Sequence, residues 1–333
     1  MLEVLGGSIV QWLAIVGLVL LVIAAGIFVG LRRSIKFRQM ILAAVAVNAL
    51  LASPILIAVG GYSVWFRNRP QPAAAQQALF KGVTYTREVR QSPRPLIIHI
   101  VAIDLTAPDI RFQVTPGEVE QTMPFVAQTT SQYLAAAGAQ IAVNGSFFYP
   151  YYSNGPWNFY PHVGDRVNTT GISFSEGKRS SFGNGEFPVL YLSSDNQPSL
   201  DAPDTIFNAI SGNEIILRDG KFVEDLLIDP ASRDPQPRTA LGYSADKRTL
   251  FIVCVDGRQP NFSEGVTLAE LADLLIEHGA AFALTMDSGG STTLVAQGTD
   301  GKPQLLNTPI DNYLPGRERP IANHLGVFAA SAE

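Results

Sequence analysis

A mixed α/β domain, built on one large mixed sheet that contains a βαβ unit and preceded by a two-helix transmembrane hairpin, is what the sequence predicts. Three observations predict it: two long uncharged runs at the N-terminus, a succession of short β-branched runs after residue 80, and two helical patterns among those runs.

The uncharged runs come first. Residues 4–31, between Glu3 and Arg32, and residues 39–66, between Arg38 and Arg67, carry no charge. Each is longer than the roughly 20 residues a helix needs to cross a bilayer. The first is too long for the apolar part of a signal peptide and has no small-residue cleavage site before Arg32. Spans are expected over about residues 8–31 and 40–63, within an anchor of residues 1–66. The loop LRRSIKFR between them holds Arg32, Arg33, Lys36 and Arg38, whereas only Glu3 is charged before the first span. The positive-inside rule therefore expects that loop in the cytoplasm and both chain ends outside. The membrane is one expected partner, and the bulk of the protein is expected to be extracytoplasmic, periplasmic or extracellular.

Residues 67–80, opening RNRPQPAAAQQ, have two prolines and no apolar periodicity and read as a linker, with the folded domain over 81–333. Subtracting the six basic and one acidic residues before Pro70 from totals of 24 and 29 leaves 18 and 28, a net charge of −10. Such a domain repels a polyanion over most of its surface, so nucleic acid is not an expected partner. Cys254, the single cysteine, sits in the apolar run TLFIVCVD and reads as a buried strand residue, and no disulfide framework exists.

Strand-like runs occur at 96–104, 110–115, 140–144, 214–218, 239–243, 249–255, 281–286, 292–296 and 324–328. Helical patterns cover 124–137, ended by Gly138, and 268–278, preceded by Thr267 and ended by Gly279.

From Arg238 to Thr292 these runs imply a site. RTALGY and TLFIVCV flank a polar turn and predict an antiparallel hairpin with Arg238 beside Val255 and Asp256. TLFIVCVD, the helix from Leu268 and AFALTMD have the lengths of a right-handed crossover, so Asp256 and Asp287 end parallel strands at one sheet edge. The crossover helix starts at that edge and brings Glu270 towards them. Asn144-Gly145 repeats the pattern of strand, short polar residue and glycine.

Each member also has a structural reading. Thr267 to Glu270 is a capping box, and Asp256-Gly257 is a common turn dipeptide. Asp287-Ser288-Gly289-Gly290-Ser291 reads either as a plain glycine-rich loop or as one that lets backbone approach a ligand closely and exposes N–H groups to it. Converging carboxylates need Arg238, another cation or a metal to offset them. Oxygen ligands suit calcium or magnesium, while His99, His162, His278 and His324 lack zinc spacing. Eight aromatic residues between Phe147 and Tyr160 read either as loop packing or as a stacking wall for sugar rings.

NGSFF, PRTALGYS, VDGRQ, GVTLAELADLL, MDSGGSTTLV and RPIANHLGVF, in this order, resemble the phosphodiester glycosidase family over most of the chain after about Val83. The resemblance implies catalytic roles among Asp287, Glu270 and Asp256. It implies substrate binding by Asn144, Gly145, Arg238, Gly257, Gly289, Gly290, Ser291, Thr292, Arg319 and Asn323. Ser288 stands where the family usually has a glycine. The implied reaction is hydrolysis of a sugar-1-phosphodiester at the sugar side, with a phosphorylated envelope or exopolysaccharide glycan as substrate and arginines on the phosphate. The alternative is a binding module that holds a phosphoglycan without turnover.

Overall fold

The computed structural model describes residues 61–332 except positions 63, 156 and 229, together with the isolated positions 41 and 48. The expected spans at 8–31 and 40–63 fall almost wholly outside the described residues. Among those described, no helix is long and apolar enough to cross a membrane. The chain divides into two compact units, Met1–Arg69 and Pro70–Glu333, and the second carries the sheets.

Its backbone is an eight-stranded sheet in the order Ala75–Phe80, Val83–Arg90, Leu96–Asp104, Thr249–Val255, Arg238–Tyr243, Phe282–Thr285, Ile215–Arg218 and Lys221–Phe222. The central strands alternate as a doubly covered sheet requires. Leu250, Ile252 and Cys254 point into one apolar cluster, and Phe251, Val253 and Val255 into another. The second cluster is closed by the helix Leu268–Glu277, whose Leu268, Leu271, Ala272, Leu274 and Leu275 are buried. The first is closed by a five-stranded sheet in the order Pro303–Leu305, Leu294–Gln297, Ile141–Asn144, His324–Phe328 and Arg111–Val114. That sheet carries the helix Thr130–Ala137 on its other side, through Tyr133 and Leu134 against Ala142, Val295 and Phe328. The layers are thus helix, sheet, sheet, helix. Cys254 is fully buried, and burial pushes its thiol up to about 12, as expected of a strand residue.

The predicted hairpin has the predicted register, with Arg238 opposite Val255. The crossover differs. Thr249–Val255 and Phe282–Thr285 are each antiparallel to Arg238–Tyr243, which lies between them. They are parallel only at one remove, and every pairing in the eight-stranded sheet is antiparallel rather than mixed.

Three further differences have local causes. The stretch read as linker supplies the edge strand Ala75–Phe80, which pairs through its backbone with Val83–Arg90 and needs little apolar periodicity. The helix expected from Pro124 begins at Thr130. Thr129 accepts from Gln132 N and closes a capping box, while Phe125–Val126 pairs with Arg166–Thr169 as a strand. A second five-stranded sheet, from Ser173–Ser175, Lys178–Ser181, Val189–Leu192, Pro198–Ser199 and Asn208–Ser211, consists of strands of two to four residues, several rich in serine, below the length at which alternation is readable.

Candidate active site

The two facing sheets are stapled where Asp287 leaves its strand. Asp287 N donates to Gly145 O at 3.0 Å, and Asn144 Nδ2 donates to Asp287 O at 2.7 Å. The Asn144 Oδ1 acceptor is taken by Thr239 Oγ1 at 2.8 Å and Thr293 N at 3.1 Å. Asn323 is equally committed: its Oδ1 accepts from Ser146 N at 2.8 Å, and its Nδ2 faces Ser146 Oγ at 3.2 Å. Both asparagines are fully buried, so they hold the scaffold beneath the loop. Gly145 and Gly257 are tight packing positions against Asn323 and Pro237.

The loop then folds back over the Asp287 carboxylate. Ser288 N donates to Oδ1 at 2.8 Å and Ser291 Oγ to Oδ2 at 2.5 Å. Arg319 Nη1 donates to Ser291 Oγ at 3.0 Å, so a directed chain of donors runs from Arg319 through Ser291 to Asp287. Arg319 Nε is anchored on Asp311 Oδ1 at 2.8 Å, and Arg317 Nε lies 3.4 Å from Asp311 Oδ2. The Arg319 guanidinium lies over the Tyr151 ring, its Cζ 4.5 Å from the centroid.

Two glycines let the cations this close. Gly289 has φ +65° and donates to Pro237 O at 2.9 Å; a Cβ there would stand 3.1 Å from Arg258 Cζ. A Cβ on Gly290 would stand 2.9 Å from both Arg319 Cζ and Asp311 Oδ1. Ser288 needs no glycine geometry. Its φ −123° and ψ −171° are extended, and its hydroxyl donates to Met286 O at 3.2 Å.

Asp287 is 5% exposed. Burial pushes its carboxyl above the ordinary range, and Arg319, Ser291, Ser288 and Arg258 pull it down without cancelling that effect. Burial works against the Arg319 charge, but the carboxylates of Asp287 and Asp311 outweigh it and raise its pKa. Thr292 Oγ1, beside Ser291, is buried without a hydrogen-bond partner.

The other expected carboxylates are occupied elsewhere. Asp256 ends a buried relay: Tyr85 Oη is 2.9 Å from His99 Nδ1, and His99 Nε2 is 3.4 Å from Asp256 Oδ2. Asn307 Nδ2 and Thr308 N donate to Asp256 Oδ1 at 3.1 and 2.9 Å. Asn307 also donates to Thr292 O at 3.1 Å and accepts from Leu294 N at 2.8 Å, so Asp256 braces the loop from behind. Glu270 is the capping residue. Its Oε2 accepts from Thr267 N at 2.8 Å and pairs with Arg94; burial pushes its carboxyl up, but the Thr267 N–H and then Arg94 outweigh this and hold it below the ordinary range. Arg238 donates to Val266 O at 3.3 Å and Asp234 O at 3.2 Å, on the approach to the same helix. The hydrogen bonds of Asp287 involve neither. The convergence of three carboxylates is therefore looser than the topology implied, and arginines compensate Asp287. Among the described residues, no group of three His, Cys, Asp or Glu side chains is placed to hold a metal ion.

Arg258 and Asp311 belong to this site and were not singled out from sequence, while Tyr151 was marked only as one of the eight aromatic residues from Phe147 to Tyr160. Arg258 had a signal, as it directly follows Asp256-Gly257, and it adopts φ +57°, unusual for a side chain of its size. Asp311 had only the general rule that a buried arginine needs a carboxylate.

The sequence model of the phosphodiester glycosidases matches residues 137–328, more than half of the chain. Among curated proteins nothing matches. Among solved structures the chain is similar to the catalytic domain of zebrafish N-acetylglucosamine-1-phosphodiester alpha-N-acetylglucosaminidase, auto-inhibited by its pro-peptide. That likeness has a TM-score of 0.52 at 20% identity and covers 79% of this chain and 92% of that one. It is also similar to a hypothetical protein from Synechocystis, with a TM-score of 0.48 at 16% identity over 78% and 64% of the two chains. With every motif from Asn144-Gly145 to the closing His324–Phe328 strand inside the matched range, the chain belongs to the phosphodiester glycosidase family.

Proposed function

We propose that this protein is a membrane-anchored extracytoplasmic hydrolase that cleaves a sugar-1-phosphodiester between the anomeric carbon and the bridging oxygen. The observation that carries the reading is the buried Asp287 carboxylate at the end of the Arg319–Ser291 donor chain, with Arg258 against Gly289 on the same loop. A phosphodiester oxygen is a good leaving group without protonation, so the site needs anion binding and one base more than a strong acid.

In this mechanism Arg319 and Arg258 hold the phosphate oxygens. Asp287 accepts the proton of the water that attacks the anomeric carbon. The carbon–oxygen bond breaks and its electron pair leaves with the phosphate, giving a free sugar and a phosphomonoester. Burial suits Asp287 to this role because a carboxylate raised above its usual pKa is a better base. Asp256 and Glu270 act as braces of the loop and of the helix. The anchor is the pair of uncharged runs before Arg67, and the cations between them favour an outside location for the domain. Glycans of the cell envelope or exopolysaccharide are the substrates within reach there.

The test is free-sugar release by the full chain in detergent from a panel of hexose and N-acetylhexosamine 1-phosphodiesters. Wild type is expected to release sugar from at least one, and Asp287→Asn to do so about 10²-fold or more slowly. Equal inertness of both, with retained binding of a diester, would make the protein a phosphoglycan-binding module instead.

A further inference from the structure

The hairpin between Tyr151 and Tyr160 is built onto the rim of the Asp287 site, not into the core. Tyr152–Ser153 pairs with Phe159–Tyr160, placing Tyr152 opposite Tyr160 and Ser153 opposite Phe159. Side chains alternate across such a ribbon, so Tyr151, Ser153 and Phe159 share one face. That face meets the segment carrying the site's anion-binding groups at three points. Tyr151 lies against Arg319, Ser153 Oγ bonds Asn312 Oδ1, and Phe159 lies under Arg317 at 4.4 Å. On the other face Tyr152 and Tyr160 stack with centroids 6.1 Å apart.

Despite this anchoring, large aromatic surface stays in solvent. Tyr151 is 44% exposed, Tyr152 47% and Trp157, next to the hairpin tip, 82%. Packing accounts for Phe148, which is buried, but not for these three. An exposed aromatic cluster beside a site marks a contact surface. The composition selects the kind of contact: from Phe147 to Pro161 there is no charged side chain, and the polar residues among the aromatics are Ser153, Asn154 and Asn158. Flat apolar rings with neutral amide and hydroxyl groups suit a neutral polyhydroxylated ring, whose C–H faces stack and whose hydroxyls take hydrogen bonds. The two arginines that meet the hairpin, Arg317 and Arg319, are both paired with Asp311, and the hairpin itself adds none of the lysine or arginine that a surface for anionic lipid or an acidic polymer would carry.

We infer that Tyr151, Tyr152 and Trp157 form a subsite for neutral pyranose rings, continuous with the Asp287 site, so that the substrate is an oligosaccharide or polymer rather than a single sugar phosphodiester. This extends the phosphodiester reading of that site and rests on it for the position of the cleaved bond; the sugar-binding surface itself is testable without turnover.

Trp157 is the only tryptophan after Pro70, the others being Trp12 and Trp65, so the fluorescence difference between wild type and Trp157→Phe isolates it. Titrating the full chain in detergent with chitohexaose, and with maltohexaose in parallel, is expected to give a saturable change in the Trp157 signal with at least one of them. Tyr151→Ala should weaken that affinity about tenfold. In the hydrolysis assay Trp157→Ala should lower kcat/KM about tenfold more on a hexasaccharide 1-phosphodiester than on its monosaccharide counterpart. No Trp157-dependent change with either oligosaccharide overturns the inference. So does a blue shift seen only with phosphatidylcholine vesicles, which would make the hairpin a bilayer contact. If the fluorescence responds while every diester remains intact, the sugar subsite stands and the hydrolase reading falls.

Discussion

Replacing Gly290 with alanine adds one methyl group at the point where the loop and the arginine meet. That carbon would lie 2.9 Å from Arg319 Cζ and 2.9 Å from Asp311 Oδ1, closer than real Cβ contacts come. Arg319 has little room to retreat, because Asp311, Ser291 and Tyr151 hold it on three sides. Its hydrogen bonds at 2.8 and 3.0 Å are charge-assisted and contribute about 1.5–3 kcal/mol each. Losing one while stretching the other costs about 2–3 kcal/mol. At about 2–4 °C per kcal/mol for a domain of this size, Tm should fall by about 4–12 °C. The proposed base Asp287 and the proposed phosphate ligand Arg319 would move relative to each other, and a displacement of about 1 Å costs about 10²-fold in kcat/KM. Differential scanning fluorimetry and sugar-release kinetics on the same preparation read both effects. An unchanged Tm together with kcat/KM within about twofold of wild type would refute the placement of Arg319 over this loop.

Three other outcomes follow from the same geometry. Glu270→Ala should cost about 1 kcal/mol of stability through the lost capping box and leave kcat within about twofold, as read by denaturant melts and kinetics; a large loss of kcat at unchanged stability would return Glu270 to the chemistry. The acid limb of the pH–rate profile should lie above the ordinary carboxylate range, since burial raises Asp287. Arg319→Gln should move it higher still, because removing a cation destabilises the carboxylate, and a limb that stays put or falls would contradict the pairing. Burial holds His324 down to about 3, so the unfolded chain binds a proton near pH 6.5 that the native chain refuses. That stability is complete above pH 6.5 and is lost as pH falls towards 3, by about 1.4 kcal/mol per unit. His324→Phe should flatten the decline between pH 6 and 4.5, and parallel slopes in wild type and variant would exclude His324 as its source.

The sequence made legible whatever local pattern controls. Thr249–Val255 is a run of seven residues with alternate side chains destined for two different cores, and both its ends were readable. So was the hairpin that puts Arg238 opposite Val255. Ser173–Ser175 and its neighbours were not, because their pairing depends on strands too short to carry a period. The glycine loop stood out by composition alone, and the capping reading of Glu270 was as visible as the catalytic one. The structure forms the capping box and adds Arg94, 176 residues away in sequence, as a partner of the Glu270 carboxylate that no local pattern announced. The partners of Asp287 were hidden for the same reason. Arg319 was reached only through family resemblance, Asp311 acquires meaning only once the chain closes around Arg319, and the aromatic run that holds Tyr151 was visible without its partner. Ser288 stood out from sequence as a departure from the glycine usual in the family. Its extended backbone and its bond to Met286 O show a serine that sits there without strain.

In the proposed reaction the bond broken lies on the sugar side of the phosphodiester. Hydrolysis in ¹⁸O-labelled water, followed by mass spectrometry of both products, tests it most directly. The label is expected on the anomeric carbon of the released sugar, with an unlabelled phosphomonoester. Label in the phosphate, with an unlabelled sugar, would mean attack at phosphorus and would contradict it.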